Sequence, residues 1–447
     1  MPSEPDFFHA EMEALCAAQP AWSRALGDYA AFHRAALAEL EAAAAVAVDA
    51  SGGARLVPPL LSLPNVTIYR VLPYQSHIGW GDILPGVASA LLSSMRRRRV
   101  FLLDWRVGAD DGIPGSVVSY LGAPFNASYP GGAEALSRGR PTAQWHEARA
   151  VPAGSALPAL WGRAASRSHA AAVEVFTHLN RGVFTQELWQ QTAAERAWLQ
   201  GVLPVRAEDG ALLYGCVYRA AAPLSAALRA AAAGVAPPGF GRAAAAARAH
   251  ARALRAAAAA DEGDAAAAPP AAATPLICVQ VRTGVQIDPP EILGAAHNRD
   301  AEHWATRPFD CAEQALAAMG NESTALLVVT DDARVRALAT TRFGARVQTT
   351  GVAPKHMGFL EGAGGDGEVA RAYTSSLADW LLLSSCGYIV KDMNTGFSRT
   401  AGVHAADAVW LWANEKALGF VQEPMAAPCR ATVGASRQAW SHLPAGW

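Results

Sequence analysis

No stretch of this sequence approaches the roughly 18 consecutive apolar residues that a membrane-crossing helix requires, so a transmembrane helix is not expected within it. The opening residues, Met1-Pro2-Ser3-Glu4-Pro5-Asp6, offer neither the basic stretch nor the apolar stretch of a secretory signal. A basic surplus is also missing. The formal net charge is -2, which excludes a protein built to neutralise nucleic-acid phosphates. The six cysteines (Cys16, Cys216, Cys278, Cys311, Cys386, Cys429) are scattered without C-x-x-C or Cys/His ligand spacing, so no zinc site is expected. Their scatter leaves the redox compartment open. A G-x-G such as Gly79-Trp80-Gly81 is weak evidence for a dinucleotide, and NAD is not expected as a cofactor.

At 447 residues the chain is long enough for two domains with buried cores. Residues 6 to 48 carry helical periodicity, with Phe7, Met12, Leu15, Trp22, Leu26, Tyr29 and Phe32 on one stripe. A βαβ unit follows: a strand from Val66 to Leu72, a turn His77-Ile78-Gly79-Trp80-Gly81-Asp82, a helix from Leu84 to Met95 and a strand from Val100 to Asp104. The basic cluster Arg96 to Arg99 reads as the solvated last turn of that helix, where cations complement the dipole. Residues 173 to 182 read as another strand ending in polar residues. Residues 219 to 275 are Ala-rich and of low complexity, with a helix expected around 242 to 260 and Pro269-Pro270 ending it. Alternating strands and helices resume at Leu276. Three glycosylation sequons, at Asn65, Asn126 and Asn321, use three of only seven asparagines and point to a secretory lumen.

Chemistry-bearing residues gather at strand ends in the second half. The run Leu276 to Val281 is continuously apolar, as in a parallel strand buried on both faces, and ends in Arg282-Thr283-Gly284. Ala325 to Thr330 repeats the device and ends in Asp331-Asp332. An apolar helix face, Trp380 to Leu383, leads to a short strand at Tyr388 to Val390. The chain then reverses at Asn394-Thr395-Gly396 and reopens a helix at Phe397-Ser398-Arg399-Thr400-Ala401, whose first turn offers backbone N–H groups, hydroxyls and a guanidinium. Singly, an Arg or Asp at a strand end reads as a surface cap or ion-pair partner, Arg282 with Asp288 for example, and the Ser398 turn as an ordinary N-cap. Together they suggest a nucleoside diphosphate site, because ligands of open parallel sheets sit at the carboxyl ends of strands.

These segments resemble the fucosyltransferase-like glycosyltransferases of GT-B fold, in the plant and algal branch related to xyloglucan fucosyltransferase. The resemblance rests on Val279-Gln280-Val281-Arg282, on Val329-Thr330-Asp331-Asp332, and on Asp379-Trp380 with Leu382-Leu383-Ser384 followed by Gly396-Phe397-Ser398-Arg399-Thr400-Ala401. It covers residues 276 to 412 well and 66 to 218 more loosely. It implies an α/β chain of two Rossmann-like lobes facing a cleft: a helical extension over 1–56, an acceptor-side lobe over 57–225, an Ala-rich linker over 226–275 and a donor lobe over 276–447. The implied activity is inverting, metal-independent fucosyl transfer from GDP-fucose to a glycan or glycoprotein, a cell-wall polysaccharide among the candidates.

In that scheme Arg282 stabilises the diphosphate leaving group, Asp331 and Asp332 meet the nucleoside, and Gly396 to Thr400 hold phosphate, with no metal and no cofactor beyond the donor. Asp82 and His77 are the candidate bases, against the plainer readings of a helix N-cap and a surface imidazole. Trp80, Trp304 and Trp380 could stack on sugars but read better as core. Relatives carry Gly-x-Gly-Asn-Arg where this chain has Gly79-Trp80-Gly81-Asp82-Ile83, so an amide and a guanidinium give way to a carboxylate and an alkyl chain. That departure keeps a second expectation open, a non-catalytic nucleotide- or glycan-binding protein on the same fold. The resemblance implies a Golgi or secretory location and a membrane anchor. The chain as given therefore reads as either a truncated sequence or a soluble homologue.

Overall fold

The computed structural model describes residues 14, 16–49, 63–71, 80–105, 140, 142–146, 171–177, 197–198, 201–202, 216–217, 219–220, 226–260, 276–281, 301–319, 324–350, 366–391, 397, 401, 409–412 and 430–433. The fold is α/β, with two predominantly parallel sheets. In the first half, helix α1 (Pro20–Asp49) precedes strand β1 (Val66–Val71), helix α2 (Trp80–Arg97), and strands β2 (Val100–Trp105), β3 (Thr142–His146) and β4 (Val173–Thr177). These four strands are parallel in the order β2-β1-β4-β3.

The alternation along the strands decides which helix covers which face. Val66, Ile68, Val100, Leu102, Val173 and Val175 bury one face with Ala36 and Leu40 of α1. Tyr69, Phe101, Leu103 and Phe176 point the other way, into the main core with Leu84, Val87 and Leu91 of α2. The expected N-terminal stripe is present where it is described: Trp22 and Tyr29 are buried, and Leu26 and Phe32 pack against the core. Phe7, Met12 and Leu15 lie outside the described residues. Tyr29 stitches α1 to β2, its hydroxyl donating to the Arg99 carbonyl at 2.8 Å and accepting from the Phe101 N–H at 3.1 Å.

Helix α2 stops at Arg98, whose φ of 49° is left-handed, while Arg99 N–H bonds back to the Ser94 carbonyl at 3.0 Å. That is a helix stop usually made by glycine. Here the Arg98 guanidinium lies over the Phe32 ring, 4.8 Å from its centroid. The reading of Arg96 to Arg99 as a wholly solvated turn is corrected at Arg99, which is 3% exposed. Its five-donor fork lets the side chain enter the sheet edge by bonding strand-start carbonyls.

The second half begins with helices α3 (Ala226–Val235) and α4 (Phe240–Ala260), within the segment expected as a linker. Strand β5 (Leu276–Val281), helix α5 (Ala301–Met319), strand β6 (Ala325–Thr330), helix α6 (Ala333–Phe343), strand β7 (Val347–Thr349), helix α7 (Asp366–Ser384) and strands β8 (Tyr388–Lys391), β9 (Val409–Trp412) and β10 (Arg430–Val433) follow. The sheet order is β10-β9-β8-β5-β6-β7, parallel except for β10. Every residue of β5 is buried, as its unbroken apolar run requires of a central strand. Helix α4 lies against β5 and β8, presenting Ala244, Ala247 and Ala251 at 5%, 0% and 0% exposure. Trp380 is core at 1% exposure, and Trp304 packs on the core partly buried. The side chain of Trp80 is outside the described set.

Two disulfides join distant parts of the chain: Cys16–Cys216, with Cα atoms 5.5 Å apart, and Cys278–Cys386, 6.1 Å apart. Cys311 is disulfide-bonded as well. They close loops of 200 and 108 residues, each worth about 4–5 kcal/mol on the chain-entropy account. Such bonds persist in oxidising compartments, which makes the secretory pathway the setting the structure favours. No helix among the described residues is long and apolar enough to cross a membrane.

Candidate functional site

Strand order locates the candidate site. From β5 the chain moves to β6 and then β7 on one side; it returns through α7 to β8 on the other side and continues outward to β9. The direction therefore reverses between β5 and β8, and the carboxyl ends beside such a reversal are where open parallel sheets bind ligands. Register fixes how near the strand ends lie. Val281 pairs with Thr330, and Gln280 with Lys391, so the ends of β6, β5 and β8 stand side by side across roughly 10 Å, two strand spacings.

Each expected donor residue follows one of these ends. Arg282 is next after Val281, Asp331 and Asp332 follow Thr330, and the 396–400 turn follows β8. Arg282, Gly396, Ser398, Arg399 and Thr400 themselves lie outside the described residues. Phe397 is half-buried against the core, and both it and Ala401 are helical. Lys391, the last residue of β8, adds a cation-bearing position at the reversal that sequence reasoning passed over. Its signal was the strand Tyr388 to Val390 running directly into a lysine.

The two aspartates divide. Asp332 caps α6: its Oδ1 accepts from the Arg334 N–H at 2.8 Å, and its Oδ2 meets Arg334 Nη2 at 2.6 Å. The cap also accounts for its burial at 3% exposure. Its carboxylate thus already has local partners. Asp331 is half-buried at the strand end.

The first sheet repeats the arrangement. The chain leaves β1 for β2 on one side, and β4 flanks β1 on the other, so its reversal lies between β1 and β4. Residues 72–79, with His77, connect β1 to α2 and lie outside the described set. Asp82 is the third residue of α2, in its first turn. At the ends of β1 and β2, Arg70 Nε donates to Asp104 Oδ2 at 2.7 Å, with Asp104 fully buried.

One residue of the resemblance motif has an environment that its sequence did not reveal. Asp379 of α7 is 5% exposed and sits near Thr350 and Arg336. Burial pushes its carboxyl up to about 6, against the pull of the Thr350 hydroxyl and the Arg336 charge. Asp379 Oδ1, Thr350 Oγ1 and two of Arg336's nitrogens are buried beyond normal hydrogen-bond length of any partner. No group of three or more His, Cys, Asp or Glu side chains able to hold a metal occurs among the described residues.

No protein-family model matches the chain, and no curated protein matches it in sequence. Solved structures do match. A mutant of Arabidopsis thaliana FUT1 in complex with GDP is similar at 13% identity over 89% of this chain and 80% of that one, with a TM-score of 0.50. NodZ α-1,6-fucosyltransferase co-crystallised with GDP matches at 13% identity over 77% of this chain and 94% of that one, with a TM-score of 0.41. Fucosyltransferase NodZ from Bradyrhizobium matches at 14% identity over 77% and 96%, with a TM-score of 0.40. At these identities the likeness is one of fold, and the FUT1 comparison carries it. The chain is structurally similar to GT-B fucosyltransferases.

Proposed function

We propose that this chain is a glycosyltransferase that moves fucose from GDP-fucose to a hydroxyl of a glycan or glycoprotein, inverting the anomeric centre without a metal. A fold hosts many chemistries, so the reading has to rest on the site. The observation that supports it is the reversal between β5 and β8, with β5 followed in sequence by Arg282, the neighbouring β6 by Asp331, and β8, after four intervening residues, by residues 396–400. As the glycosidic bond to GDP breaks, negative charge grows on the β-phosphate. A guanidinium fork and helix-start N–H groups suit that charge when a fold holds them oriented toward it. The acceptor oxygen attacks from the opposite face of the sugar and its proton passes to a base, for which Asp82 and His77 are the candidates. The setting proposed is the Golgi or another secretory lumen, consistent with the disulfides.

One observation favours a second reading, a nucleotide- or glycan-binding protein without turnover. Asp82 stands in the first turn of α2, where its negative charge would compete with a phosphate for the positive end of the helix.

A thermal-shift panel in the presence of a chelator tests the donor. GDP and GDP-fucose should each stabilise the chain, by about 2.7 kcal/mol at a hundred times the dissociation constant. Stabilisation that appears only with manganese would remove the metal-free mechanism. A response to uridine but not guanosine nucleotides would remove the donor assignment.

A further inference from the structure

The starts of the first four strands meet at the edge of their sheet opposite the carboxyl ends, and three arginines converge there. Arg99 stands just before β2 and Arg140 two residues before β3, the two outer strands. Arg99 reaches inward, with Nε donating to Thr67 Oγ1 at 3.0 Å, Nη2 to the Val66 carbonyl at 2.8 Å and Nη1 to the Ala171 carbonyl at 3.1 Å. Arg140 reaches inward from the other side, its Nη2 donating to the Pro64 carbonyl at 2.7 Å and the Leu63 carbonyl at 3.3 Å. Pro64 and Val66 are two residues apart, at most about 7 Å of chain, so the two head groups share the space beneath the β1–β4 seam. Arg97 joins them through Glu174, whose carboxylate lies 3.4 Å from both Arg97 and Arg99.

The charges do not balance. Among the described residues Glu174 meets Arg97 and Arg99 only at 3.4 Å, and Arg140 has no carboxylate partner at all. Every nitrogen of Arg99 has an acceptor. Arg140 differs. It is 6% exposed, and its Nε and Nη1 are buried with no hydrogen-bond partner. Buried donors on a cation are normally satisfied, because leaving them bare forfeits their hydration without return. Burial holds the Arg99 guanidinium below its ordinary range; Glu174 opposes that and the charges of Arg97 and Arg140 add to it.

We propose that this seam is a binding site for a small oxyanion of the phosphate or sulfate class, held at one edge of the Arg140 guanidinium through Nη1 and neutralised jointly with Arg97. The bound anion ties the starts of β1, β3 and β4 together. Arg140's two donors are closed to bulk water, so the anion is enclosed on folding or enters through a local opening, and exchange is slow. The site is independent of the donor reading, which lies at the other end of the strands.

The probe is inorganic phosphate added to the full chain after long pre-incubation, with chloride at matched ionic strength as control. The melting temperature should rise saturably with a component that depends on Arg140, and native mass spectrometry should show one phosphate fewer per chain in Arg140→Gln than in the parent. Arg140→Gln should raise the midpoint of that component by roughly tenfold or more, as expected for losing hydrogen bonds to a charged partner. Arg282→Gln, which bears only on the donor site, should leave the Arg140-dependent component in place. If Arg140→Gln does not fold, Arg97→Gln serves, because that side chain is 24% exposed and its ion pair with Glu174 is long, at 3.4 Å; its midpoint should rise several-fold. The proposal is overturned by an unsaturated rise matched by chloride, by unchanged midpoints in both Arg140→Gln and Arg97→Gln, or by loss of the Arg140-dependent component in Arg282→Gln.

Discussion

Replacing Asp379 by Asn should stabilise the protein at neutral pH, and the gain should vanish in acid. The carboxyl is 5% exposed, and burial raises it from an ordinary value of 3.8 to about 6. A folded-state value above the unfolded one means that the folded chain holds this proton more tightly. The favourable contribution is therefore complete below pH 3.8 and is lost as pH rises through about 6. The difference of about two units corresponds to roughly 3 kcal/mol against the ionised form above pH 7, an order-of-magnitude figure. Asn mimics the protonated acid at every pH and keeps an acceptor oxygen for Arg336. The competing effect is the attraction between Asp379 and Arg336, and breaking a buried pair usually costs more than it returns. Arg336 is only half-buried, so water can replace part of that attraction, and desolvation of Asp379 should win. Melting curves of parent and Asp379→Asn from pH 3.5 to 8 decide the matter. The variant should melt several degrees higher at pH 7.5 and converge with the parent only below about pH 4. A variant that melts lower at pH 7.5 would show that the ion pair outweighs the desolvation.

Three further outcomes are expected. Gly387→Ala should cost about 1–3 kcal/mol, because an added Cβ would run into the Ala247 carbonyl carbon and lie 2.6 Å from the Arg248 nitrogen, both helix backbone; denaturant midpoints within experimental error of the parent would mean that α4 is not so close. Arg282→Lys keeps the charge but loses the fork, and turnover in a fucosyl-transfer assay should fall on the order of 10²; near-normal turnover would remove Arg282 from the leaving-group role. Asp82→Asn should bind GDP at least as well as the parent while transferring some 10²-fold or more slowly; if the parent transfers to no acceptor and Asp82→Asn gains donor affinity, the binding-protein reading replaces the enzyme.

Much of the framework was legible because parallel strands covered on both faces leave unbroken apolar runs. Val66 to Leu72, Leu276 to Val281 and Ala325 to Thr330 each lie within a residue of the observed strands. Strand β3, Thr-Ala-Gln-Trp-His, has no such run and was missed. The disulfides carried no spacing signal, since Cys16–Cys216 and Cys278–Cys386 join residues brought together only by the fold. Arg99 looked like the end of a charged helix tail, and only the turn at Arg98 redirects it into the sheet edge. At the site, strand ends were readable, but the commitment of Asp332 to Arg334 was not, because Asp-Asp at a strand end reads the same whether it caps a helix or meets a ligand.

The Ala-rich segment shows why low complexity is a poor guide to structural role. Alanine is the best helix former and also the smallest side chain that still fills an interface, so the same composition serves an exposed spacer or a tightly seated helix. In α4 it serves the second. Ala244, Ala247 and Ala251 let the helix backbone approach the sheet at the β5–β8 seam, and at Gly387, just before β8, a Cβ would run into the backbone of α4 at Ala247 and Arg248. The adjacent Cys386 is bonded to Cys278 in the middle of β5. The strand pair whose carboxyl ends frame the candidate site is therefore tied at its other end by a covalent bond and by backbone contact that tolerates no extra atom. A binding constellation needs supports that fix it within fractions of an ångström. Here those supports come from the glycine, the cysteine pair and the alanines behind the seam, while the ligand-facing residues occupy the ends that the sheet leaves open.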